Sequence, residues 1–135
     1  MKEKTVKQYQ CDFCGKKNYS KGHMNTHERH CTMNPDRICR VCKHVGQEQP
    51  PIKDLIQLMP KMIVHIDDEW GFETVKNEDE LKAAFTELDK AAGECYMCVF
   101  AALRQSGIHP NIVFDYKAAS KEYWNCYNES MNDGY

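Results

Sequence analysis

The sequence predicts a small α+β protein made of two units, each stabilised by bound metal. Its 135 residues leave room for one ordinary domain, or for a unit of about 30 residues followed by one of about 100. Hydrophobic residues make up 41% of the chain, which is low for a globular protein, so metal sites would offset a small core. Most of the eight cysteines lie in close pairs, which favours metal binding in a reducing compartment over a disulfide framework.

Charge divides the chain into two parts. Residues 1–45 contain ten lysines and arginines and four acidic residues, a net charge of +6. Residues 46–135 contain eight and sixteen, a net charge of −8. This asymmetry suits an N-terminal unit that contacts a phosphate backbone and a body that repels it. We place the boundary near residue 34, which gives a basic unit over 1–34 and an acidic α+β body over 35–135.

The first candidate metal site lies in the basic unit. Two residues separate Cys11 from Cys14, twelve separate Cys14 from His27, and three separate His27 from Cys31. Two thiolates on a tight turn, with an imidazole and a thiolate one helical turn apart, can meet a tetrahedral ion, and zinc takes such ligands at about 2.0–2.3 Å. His30 is the alternative fourth ligand, but its gap from His27 is shorter than usual, so Cys31 is preferred.

This stretch, residues 9–31, resembles the zinc-finger family with two cysteine and two histidine ligands, in the variant whose last ligand is cysteine. Met24 stands where the family packs a leucine into its small core. The resemblance implies a ββα unit, with a short hairpin over about 9–19 and a helix over about 21–30. Ser20 is a suitable N-cap for that helix.

The same resemblance implies a way of binding DNA. In the family the helix enters the major groove, and helix positions −1, 3 and 6 contact bases. With His27 as position 7, these positions are Ser20, His23 and Thr26. None is the arginine that makes the commonest specific contact, so we expect low sequence specificity, with DNA preferred over RNA. The residues suited to phosphate contacts are Lys16, Lys17, Lys21 and Arg29.

A second candidate site joins two further cysteine pairs. Its ligands would be Cys39, Cys42, Cys95 and Cys98. The later pair opens an apolar helical stretch that ends at Gly107, and the positive end of a helix dipole favours the thiolate that a metal requires. A cysteine knuckle, a strand region and a cysteine pair at a helix start together resemble the treble-clef arrangement. The two sites predict two Zn²⁺ ions per chain, with His44 as the substitute ligand if one pair binds no metal.

The 52 residues between these pairs predict a helix, a β-hairpin and a second helix. Apolar residues at helical spacing indicate a helix over 52–59, which Pro60 ends. Strands are predicted over 61–66 and 72–75. Asn77, followed by three acidic residues, resembles a capping box and begins a helix. The apolar face of that helix consists of Leu81, Ala84, Phe85, Leu88 and Ala92.

The C-terminal pattern predicts an extended segment over 112–114 and a last helix capped by Asp115. Cys126, which belongs to neither metal set, is expected to be a small buried hydrophobe. Aromatic residues form a stripe along the helix that can either pack on the body or dock a protein partner. The members of this aromatic stripe are Tyr116, Tyr123, Trp124 and Tyr127.

Two other functions are compatible with the sequence. In the first, both zinc sites only support the fold of an interaction or structural protein, such as a viral or phage accessory component. In the second, the chain is a nuclease, because His65 resembles the catalytic strand of His-Asn-His enzymes with paired knuckles. The helix after Cys98 contains neither the asparagine nor the second histidine of that motif. We therefore predict a binding protein with no catalytic residues rather than an enzyme.

The start of the chain, MKEKTVKQYQ, lacks the apolar core of a secretory signal. No run approaches the ~18 apolar residues of a membrane span. Together with the cysteine pattern, these features lead us to expect an intracellular protein of the cytoplasm or nucleus, virus- or phage-encoded proteins included, with no membrane partner.

Overall fold

The computed structural model describes residues 1–93 and 95–132 and has a small α+β architecture. Within these residues lie two antiparallel hairpins, six α-helices and one 3-10 helix. No helix among them is both long and apolar enough to cross a membrane. The elements are β1 (Tyr9–Gln10), β2 (Lys17–Asn18), α1 (Lys21–His30), α2 (Arg40–Val45), α3 (Ile52–Gln57), β3 (Val64–Ile66), β4 (Glu73–Val75), α4 (Glu78–Ala91), α5 (Tyr96–Gln105), the 3-10 helix (Pro110–Ile112) and α6 (Tyr116–Asn132).

The N-terminal unit begins with the hairpin of β1 and β2, in which Tyr9 pairs with Asn18. The Ser20 hydroxyl accepts a hydrogen bond from the backbone N–H of His23 at 3.3 Å, so Ser20 is the N-cap of α1, as predicted. On the inner face of α1, Met24 is buried with two of the cysteines. The predicted helix boundaries are therefore confirmed.

The connection between the basic unit and the body is packed rather than loose. The Gln105 side chain donates hydrogen bonds to the carbonyl oxygens of Thr32 (2.9 Å) and Asn34 (3.1 Å). Arg104 donates to the Thr32 hydroxyl at 2.7 Å, and both Thr32 and Asn34 are buried. Further along, the backbone N–H of Ile38 bonds to a carbonyl in the last turn of α1. Helix α5 thus satisfies polar groups of a segment that would otherwise have to face water.

Helix α5 lies at the centre of the body, with α3, α4 and α6 packed against it. Its sequence is apolar on nearly every side, which is the pattern of a buried helix. Helix α4 presents a single apolar stripe to the core, in which Leu81, Leu88 and Ala92 are fully buried. The predicted face of α4 is confirmed, with Ala84 and Phe85 partly buried at its edge.

The second hairpin, β3–β4, lies outside the core. Its register pairs Val64 with Val75 and Ile66 with Glu73, and only Val75 among its strand residues is partly buried. The capping-box prediction for Asn77 is wrong, because its side chain makes no cap bond to α4. The Asn77 amide instead accepts from the N–H of Ile63 and donates to the carbonyl of Lys61, both at 2.8 Å, and so closes the base of the hairpin.

Three other sequence expectations differ from the structure. Residues 110–112 form a 3-10 helix where an extended segment was expected over 112–114, because Pro110 at the first position favours a turn. Cys126 is exposed rather than buried. Helix α2 was not predicted; it has six residues, too few to show a periodic pattern, and Gly46 ends it in the left-handed conformation at φ 77°.

The aromatic stripe of α6 packs mainly against α5. Asp115 accepts from the N–H of Ala118 at 3.1 Å, as predicted for the cap. The ring of Tyr116 stacks on Phe100 at a centroid distance of 4.2 Å, and Tyr123 packs against the core. Trp124 is half exposed, and the side chain of Tyr127 lies outside the described residues. A docking role for the stripe stays a prediction.

We expect Leu88→Ala to lower the free energy of unfolding by about 2–5 kcal/mol, because it leaves a cavity between α4 and α5. The matched control is Leu58→Ala, at a side chain that is 41% exposed, which should cost about 0.5 kcal/mol. Guanidinium denaturation of the metal-loaded protein at fixed metal concentration measures both. Equal losses for the two variants would contradict this account of the core.

Candidate metal centres

The first cluster brings together the side chains of Cys11, Cys14, His27 and Cys31. Their ligand atoms all lie within 4.8 Å of one another, and the Cys14 sulfur is 3.3 Å from Nε2 of His27. The β1–β2 turn supplies the first two residues, and Gly15 at φ 79° lets that turn close. His27 lies on the last turn of α1, and Cys31 is its C-cap.

The choice between His30 and Cys31 follows from the same geometry. Cys31 belongs to the cluster, whereas His30 is not among the ligand atoms grouped there in the described residues. Nδ1 of His30 instead lies 2.8 Å from the carbonyl oxygen of Ile38, beyond the end of α1. A two-residue gap places His30 on a different side of the helix from His27, so it points towards the connection and not the cluster.

The second cluster consists of Cys39, Cys42, Cys95 and Cys98. All four are buried, with their sulfurs within 4.8 Å of one another. Cys39 is 3.5 Å from Cys95 and Cys42 is 3.4 Å from Cys98, sulfur to sulfur. Each pair lies at the start of a helix, because Cys39 is the N-cap of α2 and Cys95 the N-cap of α5. His44 is not a member; its ring lies edge-on to Tyr123.

Thiol ionisation differs between members of the second cluster. Hydrogen bonds from Cys95 and Cys98 lower the pKa of Cys39 far below its ordinary value. The bond to Cys39 in turn raises the pKa of Cys95 to about 12, and Cys39 and Cys95 together raise the pKa of Cys98. One thiolate is therefore held by the protons of its neighbours, and full ionisation of the set requires a cation among the sulfurs.

The first cluster contains a thiol close to ionisation at neutral pH. Burial alone would raise the pKa of Cys14, but bonds from the backbone of Lys16 and the ring of His27 lower it to about 7. Burial raises the pKa of Cys31 to about 11. The cluster thus offers one ready thiolate beside an imidazole, and the remaining protons would leave on metal binding.

Arg37 supplies a buried positive charge beside the second cluster. It is 5% exposed, and its guanidinium NH1 lies 3.7 Å from the sulfur of Cys98. Its Nε is buried with no hydrogen-bond partner in the described structure. Burial opposes its charge, but the Cys39 thiolate outweighs that effect and raises the pKa of Arg37. A buried guanidinium of this kind is stable only beside negative charge, so the site is built to hold thiolates.

Gln47 completes the surroundings of the second cluster. Its amide donates to the sulfur of Cys42 at 3.2 Å and to the carbonyl of Ala92 at 3.3 Å. Sequence reasoning identified neither Gln47 nor Arg37. Arg37 stands two residues before Cys39, but nothing in the sequence signals that it is buried. Groups of this kind orient ligands and adjust the charge of a metal site.

The donor sets of both clusters fit a metal ion. Three sulfurs with one nitrogen, and four sulfurs, are soft sets of the size that tetrahedral metals take, and they exclude Ca²⁺ and Mg²⁺, which prefer oxygen. The ionisation pattern and the buried guanidinium of Arg37 both require positive and negative charge to balance at the second cluster. The two clusters could therefore each hold one metal ion.

The residues predicted to contact nucleic acid lie on the surface of the basic unit. Six of them are exposed: Lys16, Lys17, Lys21, His23, Thr26 and Arg29. Ser20 is partly buried, and its hydroxyl is committed to the cap bond. The Thr26 hydroxyl donates to the carbonyl of Gly22 at 3.1 Å within α1. Of the three expected base contacts, only His23 has no side-chain bond of this local kind in the described residues.

Comparison of the chain with protein-family models, curated proteins and solved structures finds no match. The function therefore has to be argued from the sites themselves, because an architecture alone does not identify an activity. The two metal clusters and the distribution of charge around them carry that argument.

Purified without chelator, the chain should contain two equivalents of metal by elemental analysis. Cys11→Ser and Cys39→Ser should each remove one equivalent, because each variant breaks one ligand set and leaves the other intact. Cys126→Ser, at an exposed cysteine outside both clusters, is the control and should retain two. A wild-type content of one or none would contradict the assignment of two sites.

Arg37→Met should weaken metal binding at the second cluster by about 10- to 100-fold, since it removes the positive charge that balances the thiolates. The measurement is competition with a chromophoric chelator in a Cys11→Ser background, so that the second site alone is observed. Arg40→Met removes an exposed arginine from the same segment and is the matched control. Similar affinities for the two variants would show that Arg37 does not balance the site.

Proposed function

We propose that the chain is a zinc-binding protein that binds nucleic acid through its basic N-terminal unit. Zinc is the metal proposed because both clusters offer sulfur and nitrogen sets without open positions, as structural zinc sites do. The resemblance of residues 9–31 to a zinc finger with Cys, Cys, His and Cys ligands supports the same choice. In this proposal zinc holds the hairpin and α1 together, and the surface of that unit binds the ligand.

One observation carries the nucleic-acid proposal: the cations around the first cluster are exposed and available. Lys16 and Lys17 lie on the hairpin, and Lys21 and Arg29 lie on α1. Within the described residues, none of the four is within ion-pair distance of a carboxylate. A cluster of unneutralised cations on one small unit is the electrostatic feature that phosphate backbones recognise.

The proposed binding is weak in sequence specificity. Two of the three helix positions expected to contact bases, Ser20 and Thr26, use their hydroxyls for bonds inside the unit. His23 remains as the main candidate for a base contact. Contacts to phosphates fix position without reading sequence, so affinity would come mainly from the cations. A double-stranded DNA ligand is preferred over RNA because the helix of such a unit fits the DNA major groove.

The body is proposed as a docking or regulatory module and not as a nuclease. It carries a net charge of −8 over residues 46–135, which repels a second segment of nucleic acid. His65 lies on the exposed strand β3, where it pairs with Thr74 in the hairpin. No role in catalysis is proposed for it. An interaction protein in which both zinc sites only support the fold is the second candidate, and the exposed hairpin β3–β4 favours it.

Reversal of charge at three positions tests the proposal. Lys16→Glu, Lys17→Glu and Lys21→Glu combined should abolish binding of the zinc-loaded chain to a mixed-sequence DNA duplex. Because each lost phosphate contact releases about one counterion fewer, lesser reversals should reduce the slope of log affinity against log salt by about 0.9 per contact. Fluorescence anisotropy across a salt series measures both quantities.

The matched control makes the same change in charge on the body. Lys53, Lys61 and Lys76 are also exposed, so their combined reversal to glutamate should leave most of the affinity in place. Thr26→Ala should change affinity little for any sequence. If both triple variants bind DNA as the wild type does, the nucleic-acid proposal fails while the metal sites stand.

A further inference from the structure

The hairpin β3–β4 exposes large apolar side chains that the fold leaves uncovered. Trp70 is 72% exposed, Phe72 67% and Ile66 58%. Ile63 and Val64, at the base and in the first strand, are also exposed. Single exposed apolar residues are common on proteins, but five within ten residues of one projecting element form a patch. Such patches mark interaction sites, and tryptophan is among the residues that contribute most to binding.

The stability of the hairpin does not explain these side chains. Two-stranded hairpins are marginal in water, and this one is fixed mainly at its base, where Val75 and Met62 reach the core and Asn77 bridges both strands. Trp70 and Phe72 lie at the far end, around the turn. The backbone N–H of Asp67 bonds to the carbonyl of Phe72 at 2.8 Å, so the turn holds a defined conformation without using either ring.

The charges around the patch restrict its partner. Asp67, Asp68 and Glu69 form the turn, and Glu73 begins β4. An apolar surface with this acidic rim is repelled by phosphate groups, which excludes nucleic acid and anionic lipid as partners. It fits an apolar cleft with positive charge at its edge.

The chain itself contains a cleft of that kind, between the end of α1, α2, α5 and α6. Its volume is about 270 Å³, and the apolar walls include Tyr96, Met97 and the half-exposed Trp124. Arg37 and Arg40 supply positive charge, and none of the described residues that line the cleft is acidic. Arg40 is exposed at the rim. No residue of the hairpin lines the cleft within the same chain.

We propose that the hairpin of one copy docks into this cleft of a second copy. The acidic turn would face the arginine rim, and Trp70 and Phe72 would cover the apolar walls. If the contact is reciprocal, it occurs twice in a two-fold symmetric dimer. The proposal uses surfaces that take no part in the proposed DNA contact, so the two can be tested separately.

Sedimentation velocity of the zinc-loaded full chain at micromolar concentrations tests the dimer. The hairpin variant, Trp70→Ser with Phe72→Ser, should raise the dissociation constant at least about 30-fold, because truncation of anchor residues has effects of this size. The cleft variant Arg40→Glu should weaken the dimer by a similar factor, since it places like charges together. Zinc content and the far-UV spectrum should be unchanged in both, because the altered side chains are exposed.

Two control variants match these changes. Lys43→Glu makes the same change of charge on α2, at an exposed residue that does not line the cleft. Val6→Ser removes an exposed apolar side chain from the N-terminal segment. Both should dimerise as the wild type does.

A mixture of the hairpin and cleft variants gives the decisive result. The intact hairpin of the cleft variant can still enter the intact cleft of the hairpin variant, so the mixture should form a heterodimer through one of the two contacts. Neither variant alone should dimerise at that concentration. A wild-type chain that is monomeric throughout overturns the proposal, and so does a mixture that stays monomeric or a dimer that the hairpin variant leaves unchanged.

Discussion

Cys39 and Cys42 reach Cys95 and Cys98 only because the chain between them folds back onto α5, so metal binding and closure of the body are one process. Closing a 52-residue loop costs about 3–4 kcal/mol of chain entropy beyond a constant term. Structural zinc contributes about 10–16 kcal/mol at neutral pH, which exceeds that cost. The small core of α3, α4 and α5 can then pack around a junction that metal has fixed.

The same junction fixes the basic unit to the body. Seven residues separate Cys31 of the first cluster from Cys39 of the second. Along this short path α5 holds Thr32 and Asn34 through Gln105, and Arg37 lies against the second cluster. A boundary drawn by composition near residue 34 therefore falls inside a hydrogen-bonded connection. The +6 and −8 parts of the chain are held next to each other, which defines a polar molecule with one face for phosphate.

Local signals predicted much of this structure, and tertiary contacts account for the rest. Ligand spacing grouped both cysteine sets, and periodicity gave α1 and α4 with their buried faces. The errors share a cause. Asn77 looked like a helix cap, yet its side chain finds carbonyl and N–H partners fourteen and sixteen residues away. Arg37 could not be recognised as buried, because the sulfur that it contacts is 61 residues along the chain. Helix α2 is too short for periodicity to detect.

The two proposals reinforce each other through geometry. A single basic unit that contacts mainly phosphates binds DNA weakly at physiological salt, and its helix offers little base recognition. A dimer formed through the hairpin and the cleft would carry two such units on one body. The second contact with the same duplex would then be intramolecular, and avidity could increase by about 10²–10⁴ without any new base contact. The connection through Thr32 and Asn34 matters here, because units on a packed connection have a fixed spacing. Specificity would then arise from the spacing of two weak sites rather than from the side chains of α1.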